Sequence, residues 1–313
     1  MNVKNRTLFI ADNLDIMRGM DSETIDLIYL DPPFNTKKQY KAPIGSPAEG
    51  AEFKDIWTDD DIQHQWHGEV AETNQELYQI IQASEHVYDT SMKIYLMAMA
   101  VRLFEMRRLL KDTGSIYLHC DPTASHYLKL VMDSLFGKEN FRNEIVWCYT
   151  TPSTPHIRQF VRCTNTLLFY SKGKKWAFNK NDVRVPYKGG APHGGQKWST
   201  DNESLSEWRK RKSKQGKIPE NWWTIPKLVS SKERTGYPTQ KPLALLDRII
   251  KASSNENDVV FDPFCGCATA CVAAERLNRQ WIGIDISQDA INSSISRFRE
   301  MGLEYDRDYE VIR

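Results

Sequence analysis

Short apolar runs and amphipathic stretches alternate along most of the chain. Strands are predicted over 7–11, 25–30, 115–119, 144–149, 166–170, 259–262 and 281–285, and helices over 92–110, 124–136, 243–252, 269–277 and 290–300. Strands that alternate with helices are typical of sheets with crossover connections. The pattern therefore predicts an α/β fold with a parallel or mostly parallel twisted sheet and helices on both faces.

Charge is distributed unevenly along the chain. The 313 residues carry a formal net charge of only +1, from 42 Lys or Arg and 41 Asp or Glu. Residues 171–235 contain 16 Lys or Arg and six Asp or Glu, a balance of +10, so the remainder carries −9. Five of the nine tryptophans also fall in this irregular segment. Basic and aromatic residues together favour nucleic-acid binding, and a solvated basic loop is the alternative.

The most apolar run, residues 94–101, is far shorter than the ~20 residues that a bilayer requires. The first residues lack the apolar core of a signal peptide. We therefore expect a cytoplasmic protein without a membrane partner and with its six cysteines reduced.

A rigid turn, Asp31-Pro32-Pro33-Phe34, follows the predicted strand 25–30. The prolines fix φ, so the Asp31 carboxylate and the Pro32 carbonyl become two preset acceptors. Two acceptors suit the two N–H donors of an exocyclic amine, and Phe34 offers a face for stacking a planar base. A plain Asp-Pro turn with a core phenylalanine is the alternative.

A second turn, residues 262–269, joins the predicted strand 259–262 to the next helix. The following strand ends at Asp285, whose carboxylate can accept both hydroxyls of a ribose. This layout is typical of nucleoside-binding sites, although the G-x-G-x-x-G pattern of dinucleotide sites is absent. A nucleoside without phosphate fits better, and S-adenosylmethionine is the obvious one.

Together, D-P-P-F and D-P-F-x-G-x-x-T resemble the motifs of the S-adenosylmethionine-dependent amino-group DNA methyltransferases. Because the D-P-P-F motif precedes the cofactor motif, the motif order is similar to that of the beta subgroup of these enzymes. The resemblance is to the N6-adenine type of this subgroup. Thr239-Gln240-Lys241-Pro242 resembles the T-x-K-P element beside the cofactor carboxylate, and Ala11-Asp12 resembles the G-D element near the cofactor adenine.

The resemblance implies a Rossmann-like class I methyltransferase fold with circularly permuted motif order. The catalytic domain would comprise residues 1–170 and 236–313, with 34–90 as a mobile loop or insertion near the DNA and 171–235 as an inserted target-recognition region. The implied cofactor is S-adenosylmethionine, held by Asp12, Thr239, Lys241, Asp262, Phe264, Gly266, Thr269 and Asp285. The implied partner is double-stranded DNA, contacted by Lys210, Arg211, Lys212 and Trp198.

The implied reaction is site-specific methyl transfer to the exocyclic amine of a flipped-out adenine, with Asp31, Pro32, Pro33 and Phe34 as the catalytic turn. In this family, enzymes with Asp at the first position of this tetrapeptide mostly methylate adenine N6, and enzymes with Ser there mostly methylate cytosine N4. Cytosine-N4 methylation, an RNA adenine substrate and a catalytically silent DNA-binding relative are the alternatives. Two further alternatives stay open: a restriction endonuclease partner in the same system, and assembly into a homodimer.

Three further residue types bear on these alternatives. Ala268 stands where the family has a second Gly, so we expect its methyl group to crowd the cofactor. Cys265, Cys267 and Cys271 have neither a nearby His nor a second C-x-x-C, so no metal site is predicted. His119 ends a predicted strand and is interpreted as a structural histidine with satisfied ring nitrogens.

Overall fold

The computed structural model describes residues 1–42, 52–55, 57–58, 64–151, 158–190, 204–228 and 233–313. The strands are β1 (Thr7–Ile10), β2 (Ile25–Leu30), β3 (Lys38–Lys41), β4 (Glu52–Asp55), β5 (Leu110–Cys120), β6 (Phe141–Cys148), β7 (Thr164–Ser171), β8 (Trp222–Thr224), β9 (Val259–Asp262), β10 (Gln280–Asp285) and β11 (Glu310–Ile312). The helices are α1 (Asn13–Gly19), α2 (His64–Thr73), α3 (Gln75–Val87), α4 (Thr90–Leu109), α5 (Ser125–Phe136), α6 (Leu205–Gln215), α7 (Leu243–Ser253), α8 (Thr269–Arg276) and α9 (Gln288–Glu300).

Within the described residues, nine strands form one sheet in the order β11-β1-β10-β9-β2-β5-β7-β6-β8. Neighbouring strands from β11 to β5 are all parallel. Strand β7 is antiparallel to both β5 and β6, whereas β6 and β8 are parallel. The prediction of an α/β fold with a mostly parallel sheet is therefore confirmed, with β7 as the exception.

Two apolar clusters cover the two faces of the sheet. Ile28 of β2 packs into one cluster, which includes α4 and α5. Its neighbours Leu27 and Tyr29 pack into the other, which includes α7 and α8. Successive residues of a strand point to opposite faces, so one continuous apolar strand serves both layers.

Helix α4 is buried on all sides from Ile94 to Leu103. It packs against α1, α2, α3 and α5 in addition to the sheet. These contacts bear on residues 34–90, which the sequence predicts to be a mobile loop or insertion near the DNA. Trp66, Val70, Leu77 and Ile81 form the apolar faces of α2 and α3 and belong to the same core cluster. The loop prediction is therefore wrong for these two helices.

The predicted target-recognition segment also contains regular structure. Helix α6 begins at a capping box in which Ser204 and Glu207 each bond the other's backbone N–H. Strand β8 extends the edge of the main sheet by pairing with β6. Trp223, in β8, packs into the second core cluster. The prediction that this whole segment is irregular is therefore wrong for α6 and β8.

No helix in the described part of the chain is both long and apolar enough to cross a membrane.

Candidate active site

The carboxyl ends of β1, β10, β9 and β2 lie side by side, because these four strands are adjacent and parallel. Open parallel sheets bind ligands outside this edge, and a cavity of about 670 Å³ opens here. Its lining includes every residue for which the sequence predicts a catalytic or cofactor contact: Asp12, Asp31, Pro32, Pro33, Phe34, Thr239, Lys241, Asp262, Phe264, Gly266, Thr269 and Asp285. The fold thus brings both motif turns to one cavity.

Asp31 follows β2 directly, and its side chain is only 14% exposed. Its Oδ2 forms an ion pair with Lys241 Nζ, whereas its buried Oδ1 has no hydrogen-bond partner among the described residues. Burial raises the pKa of Asp31, and the positive charge of Lys241 partly opposes that rise. One carboxylate oxygen, the buried Oδ1, therefore keeps both lone pairs free of hydrogen bonds to the described residues.

The backbone after the catalytic turn is held by Asp55, the last residue of β4. Asp55 is buried, and its two oxygens accept the N–H groups of Asn35 at 2.7 Å and Thr36 at 2.9 Å. Asn35 has a φ of +59°, so these bonds stabilise a left-handed conformation that side chains disfavour. Asp55 was not predicted as a site residue, because it lies inside the range 34–90 and carries no local motif.

Phe34 is a partly buried ring at the cavity wall. Its centre lies 5.8 Å from that of the His119 ring. Lys241 Nζ lies 5.8 Å from the same Phe34 ring centre. The Lys241 ammonium group therefore lies between the Asp31 carboxylate and the Phe34 ring. The sequence predicts that this carboxylate binds the substrate amine and that this ring stacks on the substrate base.

The cofactor turn is tied to the end of the neighbouring strand by Asp285. Its Oδ2 accepts the Gly266 N–H at 2.8 Å, and its Oδ1 accepts the Ser287 N–H at 2.9 Å. Burial raises the pKa of Asp285. Gly266 has a φ of +52°, and a Cβ there would lie 3.2 Å from the Tyr237 ring, so glycine suits both the backbone and the space.

Asp262 ends β9 and lies beneath this turn. It is buried, and its Oδ1 accepts the Phe264 N–H at 3.1 Å. Burial raises the pKa of Asp262 well above its ordinary range. Thr269 starts α8, and its Oγ1 accepts from Arg297 at 2.9 Å. The buried Arg297 also donates to the Cys267 carbonyl at 2.7 Å, which fixes the turn from below. Arg297 was not predicted as a site residue, since a basic residue in the last turn of a helix is common.

Ala268 adopts a left-handed conformation, with φ 55° and ψ 39°. It is fully buried in the apolar cluster beneath the turn and is not among the residues that line the cavity. The structure therefore gives no support to the predicted clash between its methyl group and the cofactor.

Asp12 lines the cavity and has two further contacts that the sequence did not reveal. It caps α1 by accepting the Leu14 N–H at 2.8 Å, and it forms an ion pair of 2.9 Å with Arg102 of α4. Arg102 also donates to Asn13, whose amide donates to the Pro263 carbonyl at 2.7 Å. This chain of contacts connects α1 and α4 to the cofactor turn.

Of the predicted DNA-contacting residues, the described Lys210, Arg211 and Lys212 are not among those that line the cavity. Helix α6 carries five Lys or Arg residues, and buried Trp208 anchors it. Lys210 and Arg211 are exposed, and Lys212 is half-buried. Trp198 lies outside the described residues. The helix therefore presents a positively charged surface without contributing to the cavity.

Cys265, Cys267 and Cys271 are buried free thiols, and burial raises the pKa of each. Among the described residues, no cluster of three or more His, Cys, Asp or Glu is arranged to hold a metal ion.

The chain matches a family model described as DNA methylase over residues 25–296. Type II methyltransferase M.EcaI of Enterobacter cloacae is 31% identical over 69% of this chain and 60% of its own length. Type II methyltransferase M.HpaI of Haemophilus parainfluenzae is 27% identical over 94% of this chain and 74% of its own length. DNA adenine methyltransferase YhdJ of Escherichia coli (strain K12) is 27% identical over 93% of this chain and 82% of its own length.

Solved structures share the fold. The crystal structure of an M1.HpyAVI–SAM complex superposes with a TM-score of 0.53 at 20% identity, over 93% of this chain and 98% of that one. The PvuII DNA methyltransferase (cytosine-N4-specific) gives a TM-score of 0.57 at 16% identity, over 99% of this chain and 96% of that one.

Proposed function

Because the chain belongs to the N6/N4 family of DNA methylases, whose cofactor is S-adenosylmethionine, we propose that it methylates the N6 amine of adenine in DNA. The observation that carries this proposal is the Asp31 carboxylate. It is mostly buried, it stands between Pro32 and the end of β2, and it lines a cavity shared with the cofactor turn. Its Oδ1 has no hydrogen-bond partner in the part of the chain that the structure describes.

The residues of the cavity fit S-adenosylmethionine. The turn before α8 offers a glycine close to the cavity wall, and the Asp285 carboxylate at the end of β10 suits a ribose diol. We assign Asp12, Asp262, Phe264 and Thr269 to the surroundings of the nucleoside. Lys241 pairs with Asp31 and donates to the Thr239 carbonyl at 3.2 Å, and we assign Thr239 and Lys241 to the charged amino-acid end. The bound cofactor would supply an electrophilic methyl group on a sulfonium.

Asp31 and the Pro32 carbonyl then act as acceptors for the two amine hydrogens, which directs the nitrogen lone pair toward the methyl group. The negative charge of Asp31 stabilises the positive charge that develops on the nitrogen during the displacement. Since its raised pKa makes it a better base than an exposed aspartate, Asp31 is also placed to take the released proton.

The depth of Asp31 supports base flipping. A carboxylate that is 14% exposed cannot touch an amine that remains paired and stacked within a duplex. We infer that the target base leaves the stack and that Phe34, on the cavity wall, packs against it. The charged face of α6, within the proposed target-recognition region 171–235, would bind DNA phosphates.

Two facts favour adenine over cytosine. The acceptor is a carboxylate, which the family associates with adenine, and a relative named DNA adenine methyltransferase aligns over 93% of this chain. The Type II methyltransferases among the relatives make a restriction endonuclease partner a reasonable further proposal.

The test is transfer of a labelled methyl group from S-adenosylmethionine to unmethylated genomic DNA, followed by digestion and mass spectrometry of the nucleosides. N6-methyldeoxyadenosine is the expected product, and Asp31→Asn is the matched control because it keeps the shape and removes the charge. N4-methyldeoxycytidine would contradict the base assignment. Label in structured RNA but not in DNA would contradict the substrate class.

A further inference from the structure

Strands β6 and β8 end at the same edge of the sheet as β2, the strand that leads into Asp31. Strand β7 is antiparallel to both β5 and β6, so β6 runs in the same direction as β5 and β2. Strand β8 is parallel to β6. The residues that follow β6 and β8 therefore lie at the catalytic edge, where β2 leads into Asp31, although they belong to neither motif turn.

An aromatic ring and an ammonium group meet at this edge. Tyr149 follows β6 directly, and Lys227 comes three residues after Thr224, the last residue of β8. Lys227 Nζ lies over the Tyr149 ring, 3.6 Å from its centre. A lysine ammonium at such a distance is attracted by the electron-rich face of the ring. The ring therefore serves as a seat for the ammonium group, whose outer side is open to solvent.

Both partners of this contact are anchored to the sheet. The Tyr149 hydroxyl donates to Asn165 Oδ1 at 2.9 Å. The Trp147 indole N–H donates to the Ile225 carbonyl at 2.8 Å, which ties the segment after β8 to β6 two residues before Lys227. The ammonium group therefore has a defined position before any ligand binds.

A row of rings connects this seat to the catalytic turn. The Tyr149 ring centre lies 5.0 Å from that of Trp147. The Trp147 ring centre lies 5.6 Å from that of His119, which in turn lies 5.8 Å from that of Phe34. The Lys227 ammonium thus stands at one end of a continuous aromatic row, and the ring proposed to pack against the substrate base stands at the other.

His119, in the middle of this row, is fully buried. Its Nδ1 lies 2.9 Å from the Tyr29 hydroxyl, and its Nε2 lies 2.9 Å from Asn165 Nδ2. The interpretation of His119 as a structural histidine with satisfied ring nitrogens is therefore confirmed. It supports the rings on either side of it.

The two segments that form this part of the edge carry positive charge only. Residues 149–163 and 221–232 contain no Asp or Glu. Arg158 and Arg162 are exposed in the connection from β6 to β7. Lys227 has no ion-pair partner among the described residues. The charge of this surface therefore favours an anionic ligand.

The surroundings of Lys227 point the same way. Partial desolvation lowers the pKa of Lys227, and the positive charge of nearby Lys241, the ion-pair partner of Asp31, lowers it further. A negative group beside Lys227 would oppose both effects. A phosphate is such a group, and the substrate of the proposed reaction carries one for every nucleotide.

We propose that Lys227, seated on the Tyr149 ring, binds a DNA backbone phosphate beside the nucleotide that enters the catalytic cavity. This inference rests on the proposed function, since it places the DNA strand relative to the catalytic turn. Arg158 and Arg162 add positive charge along the same edge. Phosphate contacts fix the register of a protein on DNA and carry no sequence information themselves. Lys227 would therefore position the strand without reading its sequence.

The first experiment measures the binding of a fluorescent DNA duplex over a salt series by anisotropy. Lys227→Met keeps the length of the side chain and removes its charge. Affinity should fall by about 3- to 10-fold, and the slope of log K against log salt should become shallower by about 1. Lys227→Arg is the matched control, because it keeps the charge and should keep the wild-type slope. An unchanged slope in Lys227→Met would overturn the proposal, and a shallower slope with hairpin RNA alone would contradict DNA as the ligand.

The second experiment locates the phosphate. Uncharged methylphosphonate linkages replace single phosphates around the target base of a duplex that carries the recognition sequence. At one position beside that base, neutralisation should weaken wild-type binding by about 3- to 10-fold and should have no further effect on Lys227→Met. Lys210→Met, a change at an exposed lysine of α6, should stay fully sensitive at this position. Equal sensitivity of Lys227→Met and wild type at every position would overturn the proposal.

Two substitutions of Tyr149 test the seat. Tyr149→Phe keeps the ring face and should leave DNA affinity unchanged, whereas Tyr149→Leu should lower it by about 2- to 5-fold. Melting temperatures check that both variants are folded, and equal affinities would contradict the role of the ring. All of these readouts measure binding. A wild-type protein that binds DNA and methylates none would count against the proposed function, and the salt slope of Lys227→Met would still decide the phosphate contact.

Discussion

Lys241 Nζ forms an ion pair with Asp31 Oδ2, although the sequence assigns one residue to the cofactor and the other to the substrate. Both side chains are largely buried, at 12% and 14% exposure. The ammonium stands next to the carboxylate that would accept the substrate amine, and it faces the Phe34 ring. The two binding functions therefore share one charged contact, and an amine that approaches Oδ2 must displace or share Lys241.

The pH dependence of transfer should reveal this contact. Asp31 must be ionised to accept the amine hydrogens, so activity falls as the pH drops through its raised pKa. Lys241 lowers that pKa, so Lys241→Met should raise it and move the acidic limb of the pH–rate profile to higher pH. Single-turnover rates across pH measure the shift. Lys4→Met is the matched control, because Lys4 is an exposed lysine that precedes β1 at the opposite edge of the sheet. An unshifted limb in Lys241→Met would show that the ion pair does not persist in the active complex.

The Asp285 carboxylate should control cofactor affinity. It holds the Gly266 and Ser287 amides and faces the cavity. Asp285→Asn retains one acceptor oxygen and loses the negative charge. Because hydrogen bonds to charged groups contribute about 1.5–3 kcal/mol, the Kd for S-adenosylmethionine should rise by about 10- to 100-fold. Calorimetry measures this Kd. Asp289→Asn, an exposed change four residues later, should leave it unchanged. Equal affinity of the two variants would reject the role of Asp285.

Ala268→Gly tests whether the departure from the family motif affects the cofactor. Glycine relieves the left-handed strain at φ 55° but loses a buried methyl group, and each effect is about 1 kcal/mol. These opposing effects should leave the free energy of unfolding within about 1 kcal/mol of wild type, as denaturant titration would measure. The Kd for S-adenosylmethionine should not change, because Ala268 does not line the cavity. A tenfold or greater gain in affinity would show that the methyl group does crowd the site.

Helix α6 should contribute to DNA affinity through phosphates. Lys210→Ala removes one exposed charge, so the slope of log K against log salt should become shallower by about 1. Fluorescence anisotropy over a salt series measures that slope, and Lys4→Ala provides the control. A slope identical to that of wild type would place the DNA elsewhere on the protein.

Local sequence patterns were sufficient to predict many of the strands in the parallel part of the sheet. The predictions 25–30 and 259–262 match β2 and β9, because an unbroken apolar run between turn residues leaves few alternatives. The antiparallel direction of β7 was not predictable, since an apolar run does not encode the direction of its neighbour. Helices α2 and α3 were missed because their buried residues, Trp66 and Val70 in one and Leu77 and Ile81 in the other, are buried by tertiary packing against α4, which no local pattern shows.

The candidate site was also predictable only in part from the sequence. The two turns were recognisable because each is continuous in the sequence. The residues that support them come from distant segments: Asp55 holds the backbone after Phe34, Arg297 holds the cofactor turn, and Lys241 reaches Asp31. No local signal marks such pairs, because each depends on the tertiary fold that brings the strand ends together.

The most direct test of the central claim is methylation-sensitive long-read sequencing of DNA from a methylation-deficient bacterial host. One culture expresses the wild-type chain and the other expresses Asp31→Asn at the same level. The account predicts N6-methyladenine within one short sequence context in the first culture and none in the second. Unmodified DNA in the presence of a wild-type protein that binds S-adenosylmethionine, or equal modification by the variant, would contradict it.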